Sequence, residues 1–465
     1  MLISGYHPGA EDDEVYLAAI KRDLNPALFP HDADFFALQL QATVFDKLVA
    51  VSTRTTHVPL GWGIFIWHYG VIFLVLLGCW RLSRRLFSEE YAHWASTALI
   101  TVLLTLPVAG TGLYIVDQNL HPRALATAAI LAATVAVLDR RFLRAGILLA
   151  VAMLFHPIMG SFGVSWCVFL GWRQTTPGTG LSVLALAPLG WIFKPASDAW
   201  RVAADTRNYY FLGRWEWYEW LGVFAPLAIL WWFRRIGQRQ DGSRLAHVAT
   251  RLVFFGAFQF VVAVAMMLPD GLQRLRPLQP MRYLHLLYVI FIVLAGGVLG
   301  QKFLRAHRWR WLLLFVPLAI GMFMAQRATY PASAHLEWPG AASSNAWMQA
   351  FAWIREHTPP DSYFAIGADY MRRPGEDYHG FRGLAERSRL ADATKDAAVA
   401  TQVPPLAARW QAEVEAQRGW EHFGPADFAA LKARFGVDWV LLERPAGDGM
   451  DCPYENQAVR VCRVK

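Results

Sequence analysis

Charge and cysteine are both scarce in this chain. Lys, Arg, Asp and Glu make up 17% of its 465 residues, against about 25% in ordinary soluble proteins, which excludes a typical soluble enzyme and a charge-rich disordered chain. Four cysteines are too few for a scaffold built on disulfides. The sequence also has no internal repeat, P-loop, Rossmann glycine pattern, CxxC or HExxH, so an ATP-driven pump or an HExxH peptidase would lack its phosphate cradle or its ligand pair. No secretory signal is visible, because Met1 to Gly5 is too short for its apolar region.

What the chain has in excess is apolar: 55% of its residues, including 21 Trp. They fall in long runs separated by Arg-rich stretches. A helix needs about 20 apolar residues to cross a bilayer. On that measure, runs at 59–80, 92–116, 122–138, 143–156, 158–172, 180–194, 217–233, 249–268, 283–300 and 309–327 read as about ten spans. The pair meeting at His156-Pro157 is either two short helices or one kinked element, since proline removes a backbone donor and clashes with the preceding turn.

The net charge of +8 is a topology signal and not a nucleic-acid footprint. It divides into +11 over residues 1–334 (29 basic, 18 acidic) and −3 over 335–465 (15 basic, 18 acidic). Loops on one side of the expected spans hold 15 basic residues, from Arg81, Arg84 and Arg85 through Arg140, Arg141 and Arg144 to Lys302, Arg305, Arg308 and Arg310, against 8 on the other. The richer side should be cytoplasmic. The N-terminal segment and the C-terminal region of a multi-pass protein of a bacterial inner membrane then lie outside. An exported segment with no apolar helix before it leads us to expect a further span that ends in Leu2-Ile3.

Three parts follow: an exported acidic segment (1–58), a helical membrane domain (59–330) and a small extracytoplasmic α/β domain (331–465). In the last, Ala346–His357 and Pro425–Phe435 have helical spacing, while Tyr363–Ile366, Val437–Leu442 and Ala458–Arg463 read as strands. The polar stretch from Met371 to Ala416 reads as loop or surface helix. Cys79 and Cys167 fall in spans; Cys452 and Cys462 flank the last strand, where export would permit a disulfide that spacing alone does not establish.

Five polar constellations map to the extracytoplasmic face. Glu11-Asp12-Asp13-Glu14 opens a short helix whose apolar and basic residues suit a membrane surface; four adjacent acids call for a metal, a basic partner or a general-base role, or are a solvated helix start. Asp117-Gln118-Asn119-Leu120-His121-Pro122-Arg123 joins two spans, with Asn119 as candidate helix cap and Asp117 and Arg123 able to pair. His156 lies within an apolar run, where a histidine is costly unless partnered. Arg207, with Glu216 and Glu219 nearby, stands in a Trp- and Tyr-rich belt. Arg282 and His285 open the ninth span, where an arginine can grip a phosphate or simply snorkel. Acids and arginines gathered at one bilayer surface suit a lipid-phosphate substrate.

This layout resembles the integral-membrane glycosyltransferases of the GT-C type. They carry an acidic motif in the first exported loop, often a further acid in the second, about a dozen spans and an exported C-terminal domain. Here Glu11-Asp12-Asp13-Glu14 would match the first-loop acids and Asp117 the second, and Trp353-Ile354-Arg355-Glu356-His357-Thr358-Pro359-Pro360-Asp361 is similar to a phrase that follows the last span in bacterial proteins of this kind. The resemblance implies a general base at Asp12 or Asp13 with Asp117 also catalytic. Glu11, Glu14, His121, Arg123, His156, Arg207, Arg282 and His285 are candidates for substrate binding. It further implies a lipid-linked sugar donor on a polyprenyl phosphate, membrane lipids but no nucleic acid as partners, and a divalent Mg or Mn ion as the candidate cofactor. The alternative class is a non-catalytic polytopic protein, a transporter or flippase of lipid-linked glycans or an assembly subunit. Transporters of that kind show internal repeats, which this chain lacks.

Overall fold

The computed structural model describes residues 1–172, 196–238, 243–373, 377–445 and 449–465. The chain opens with three short helices, α1 (Asp13–Leu24), α2 (Asp34–Leu40) and α3 (Phe45–Thr56). The bundle begins with α4 (Leu60–Leu86) and α5 (Glu90–Val102), followed by a small hairpin of β1 (Pro107–Val108) and β2 (Leu113–Tyr114). It continues through α6 (Pro122–Leu138), α7 (Phe142–Phe155) and α8 (Pro157–Gly171). Beyond come α9 (Asp198–Asp205), α10 (Trp217–Gln238), α11 (Ser243–Met267), α12 (Tyr283–Leu299) and α13 (Arg308–Thr329).

The protein is mainly helical, and four described helices are long and apolar enough to cross a membrane: Leu60–Leu86, Arg244–Met267, Pro280–Leu304 and Arg308–Thr329. Their outward residues are aliphatic or aromatic, as with Phe73 on α4 and Leu312 and Leu313 on α13. By contrast α12 is walled in, burying Leu284, Leu287, Ile290 and Val293. The count differs from ten for identifiable reasons. The run at 92–116 stops being helical at Val102 and turns into the hairpin. The first turn of α10 holds Trp217, Tyr218, Glu219 and Trp220 and its end Arg234 and Arg235, which shortens its apolar stretch. The runs at 122–138, 143–156 and 158–172 form helices of 14 to 17 residues, and 180–194 lies outside the described residues. At His156-Pro157 there are two helices: His156 ends α7 in extended geometry and caps α8, its Nδ1 accepting from the Met159 amide at 3.3 Å.

The C-terminal region adds α14 (Ala346–His357), β3 (Tyr363–Ala365), α15 (Phe381–Ala385), β4 (Ser388–Arg389), α16 (Lys395–Gln402), α17 (Ala407–Ala416), α18 (Pro425–Phe435), β5 (Trp439–Glu443), β6 (Asp451–Glu455) and β7 (Val459–Arg463). The strands form one mixed sheet in the order β4-β3-β5-β7-β6, with β4, β3 and β5 parallel and β7 antiparallel to both β5 and β6. A disulfide joins Cys452 to Cys462 between the last two strands. Asn345 starts α14 by accepting the amides of Trp347 and Met348. The stretch from Met371 to Ala416 is loop in part, as expected, but it also supplies α15, α16 and α17; α15 and α16 are largely buried, while α17 exposes Ala408, Arg409 and Glu415.

Nor do the three parts stand apart. Ala397, Ala400, Leu406 and Trp410 belong to the same continuous apolar core as Phe35, Phe36, Trp200 and the bundle helices. The N-terminal segment threads between the other two parts: Tyr6 bridges to Leu336 and Ala10 to His379. The helix expected on the membrane surface is instead interior, with Asp13 through Ile20 all buried, because α15 covers its other flank. Glu14 explains how that is tolerated. It lies with Asp392 and Asp396 around Arg382 and Arg389, every side chain within 2% of complete burial, so the fold supplies partners for charges it removes from water.

Candidate functional site

A cavity of about 990 Å³ opens where the N-terminal segment, the hairpin loop, α8, the 207–219 region, the start of α12 and α16 converge. Such a volume suits a large ligand. Its polar wall includes Glu11, Asp12, Asp117, His121, Arg123, His156, Arg207 and Arg282, and its apolar wall Leu40, Leu106, Val108, Leu113 and Ile158.

The acidic side starts from a left-handed Glu11, φ 53°, whose amide donates to the Tyr378 carbonyl at 2.7 Å. Asp12 is the cap position just before α1, yet its carboxylate makes no cap bond and turns to the cavity instead. There one oxygen accepts from Lys395 Nζ at 2.8 Å and the other lies 3.2 Å from His121 Nε2. Lys395 also pairs with Glu11. Burial opposes the charge on Asp12, but Lys395 and His121 outweigh it and hold the carboxyl well below its ordinary range.

His121, not Asn119, caps α6: its Nδ1 accepts the Arg123 amide at 3.0 Å, with Pro122 at the first helical position. That bond leaves the Nε2–H to donate to Asp12, which fixes the neutral tautomer; burial, then the Arg123 charge, lowers the imidazole's pKa further. Asn119 instead donates to the Ala10 carbonyl at 3.2 Å, pinning this loop to the N-terminal segment. Asp117 accepts from Arg123 Nη2 at 2.6 and 2.7 Å. Burial would raise its pKa, but Arg123 and His121 lower it.

The basic side is less satisfied. Arg207 is 8% exposed, and its Nε and one Nη have no protein partner; nor do Arg282 Nε, Arg123 Nη1 and the Gln279 side-chain oxygen. Arg282 lies over the Tyr209 ring at 5.7 Å. His156 faces the same space, its ring 6.2 Å from that of His121.

Three candidates are not on the cavity wall. Asp13 points inward, accepting the Gly9 amide at 2.7 Å; burial pushes its carboxyl up to about 7, the Gly9 and Asn119 hydrogen bonds only partly offsetting it. Glu14 is locked in the buried ion network. His285 is completely buried and bonded to the Ile115 carbonyl at 2.9 Å, holding the hairpin loop to α12. In turn, the wall includes Tyr16, Tyr209 and Glu219, which stand in the polar constellations but are not among the candidates, and Gln279, Tyr378, Thr394, Lys395 and Gln402, which the motifs did not indicate. Lys395 and Asp12 stand 383 residues apart, and no local pattern signals such a pair.

A divalent ion does not fit this donor set. Glu11 and Asp12 share Lys395, Asp117 is taken by Arg123, and among the described residues no three carboxylate, imidazole or thiol groups are placed to hold a metal. Comparison of the chain with models of known protein families finds no match, and neither does a search of the curated proteins.

Proposed function

We propose that the protein is a membrane glycosyltransferase of the GT-C kind, transferring a sugar from a polyprenyl-phosphate donor on the extracytoplasmic side. One observation carries the reading: a single cavity holds an ionised carboxylate, Asp12, together with guanidinium groups on Arg207 and Arg282 that have N–H donors to spare. Arginine forks match phosphate oxygens, and the apolar wall offers a place for an isoprenoid chain. The Cys452–Cys462 disulfide suits an oxidising compartment, as does the excess of basic residues in the opposite loops.

In this reading an acceptor hydroxyl attacks the anomeric carbon and its proton passes to the Asp12 carboxylate. The bond from the anomeric carbon to the phosphate oxygen breaks, and the phosphate leaves with the added negative charge, which Arg207 and Arg282 stabilise. Lys395 and His121 hold Asp12 in place and ionised, and no metal enters the step. Because that carboxyl titrates well below its ordinary range, its protonation should not limit turnover between about pH 5 and pH 8.

Asp12→Asn is expected to lower turnover of polyprenyl-phosphate sugars by about 100-fold or more, with the protein still folded in its membrane. Undiminished turnover in that variant would remove the assignment of Asp12. A periplasmic phosphatase fused after Lys465 should be active; an inactive fusion beside an active cytoplasmic reporter would reverse the topology.

A further inference from the structure

We propose that α16 is the surface that recognises the polyhydroxylated group of the substrate, so that the C-terminal domain and not the membrane helices selects the sugar; this rests on the glycosyl-transfer reading above. The helix presents Lys395, Ala398 and Gln402 to the cavity, with Thr394 immediately before them. Their spacing of three, then four residues keeps them on one helical face.

Both ends of α16 are tied to the two chemical poles. At its start Lys395 holds Asp12 at 2.8 Å. Near its end the Thr401 hydroxyl lies 3.0 Å from the Tyr210 hydroxyl, and the Thr401 carbonyl accepts from Trp200 Nε1 at 2.9 Å. Those partners belong to the segment that carries Arg207 and Tyr209 to the cavity. At 1.5 Å per residue, Lys395 to Gln402 covers about 10 Å. A phosphate held by the arginines and an acceptor at Asp12 therefore leave the group between them lying along this helix. What it would meet is suited to hydroxyl groups. Thr394 Oγ1 is buried without a partner, Gln402 presents an amide able to donate and accept, and Ala398 leaves room between them. A site built to hydrogen-bond substrate hydroxyls rejects analogues that misplace them more strongly than an apolar pocket does.

The test uses the full-length protein in nanodiscs and four probes: undecaprenyl phosphate and its glucosyl, galactosyl and mannosyl esters. The wild type should separate the best from the worst hexosyl lipid by at least tenfold in Kd. Gln402→Leu and Thr394→Val should reduce that separation below threefold, and Ala398→Phe should abolish hexosyl-lipid binding. All three variants should bind undecaprenyl phosphate within twofold of wild type, which also shows that they fold. Undiminished discrimination in Gln402→Leu and Thr394→Val, or a wild type that binds all three esters alike, overturns the role of α16 and leaves the glycosyl-transfer reading standing. A wild type that binds none of the four probes overturns both.

Discussion

Four consecutive acids, Glu11 to Glu14, meet three different fates within one turn of chain. Glu11 and Asp12 face the cavity and share Lys395, Asp13 is buried against the Gly9 amide, and Glu14 joins Arg382 and Arg389. Charge counting in that last network gives an unequal prediction. Glu14, Asp392 and Asp396 outnumber the two arginines, so Glu14→Gln leaves the network balanced while Arg389→Met leaves three acids on one cation. Arg389→Met is expected to cost about 3–5 kcal/mol and Glu14→Gln clearly less, as read from thermal unfolding in detergent. Equal losses would mean that burial, and not charge balance, governs the network. Asp13 makes a pH prediction. Its folded pKa is raised from the ordinary 3.8 to about 7, so the folded state holds this proton more tightly than the unfolded chain, and stability falls as pH rises through that window. Asp13→Asn cannot ionise. Its stability relative to wild type should therefore climb across the same window, by at most roughly 4 kcal/mol, and a difference independent of pH would count against the buried, neutral carboxyl.

At the scale of elements, the site is held by close backbone approach. A Cβ placed on Gly380 would lie 2.7 Å from Glu14 Cα, and one on Gly383 2.9 Å from the Asp13 carbonyl oxygen, so α15 can rest on α1 only where side chains are missing. A Cβ on Gly296 would come 2.6 Å from Ser96 Cα, and one on Gly300 2.4 Å from the Tyr91 oxygen. Missing side chains thus let α12 and the turn that follows it approach the α5 backbone closely, the kind of small-residue seam that suits close helix packing. Gly380→Val should push α15 from α1 and so pull Lys395 from Asp12. We expect loss of about 1–3 kcal/mol of stability together with reduced turnover, whereas Gly321→Val, where an added Cβ meets nothing within 4 Å, should change neither. A fully stable Gly380→Val would show that the contact yields cheaply. Local signals sufficed for elements whose causes are local. The helices at Ala346–His357 and Pro425–Phe435 are those read from spacing and turn residues, while β4, at two residues, is too short to leave a periodicity.

For the whole molecule, the decisive feature is that the main core runs from the bundle into the C-terminal region, beside two apolar clusters that the C-terminal sheet packs on its own. Trp410, Leu406 and Ala400 pack with the N-terminal helices and the bundle, so a fragment of residues 331–465 would expose them along with Arg382 and Arg389. That fragment is expected to be protease-sensitive and to lack a cooperative unfolding transition. A compact, cooperatively melting fragment would restore the picture of an independent domain. The sequence alone determined the membrane-type composition, the charge asymmetry, the apolar runs and the short motifs that place Asp12, Asp117, His121 and Arg282, because hydropathy, helical period and adjacent polar residues act over a few turns of chain. Only the tertiary structure decided that α1 is interior, that Glu14 and His285 serve packing, and that Lys395 joins the acids. The physical reason is that a buried charge is tolerable only beside its counter-charge, and the cations that pair with Glu11, Asp12 and Glu14 lie more than 360 positions along the chain.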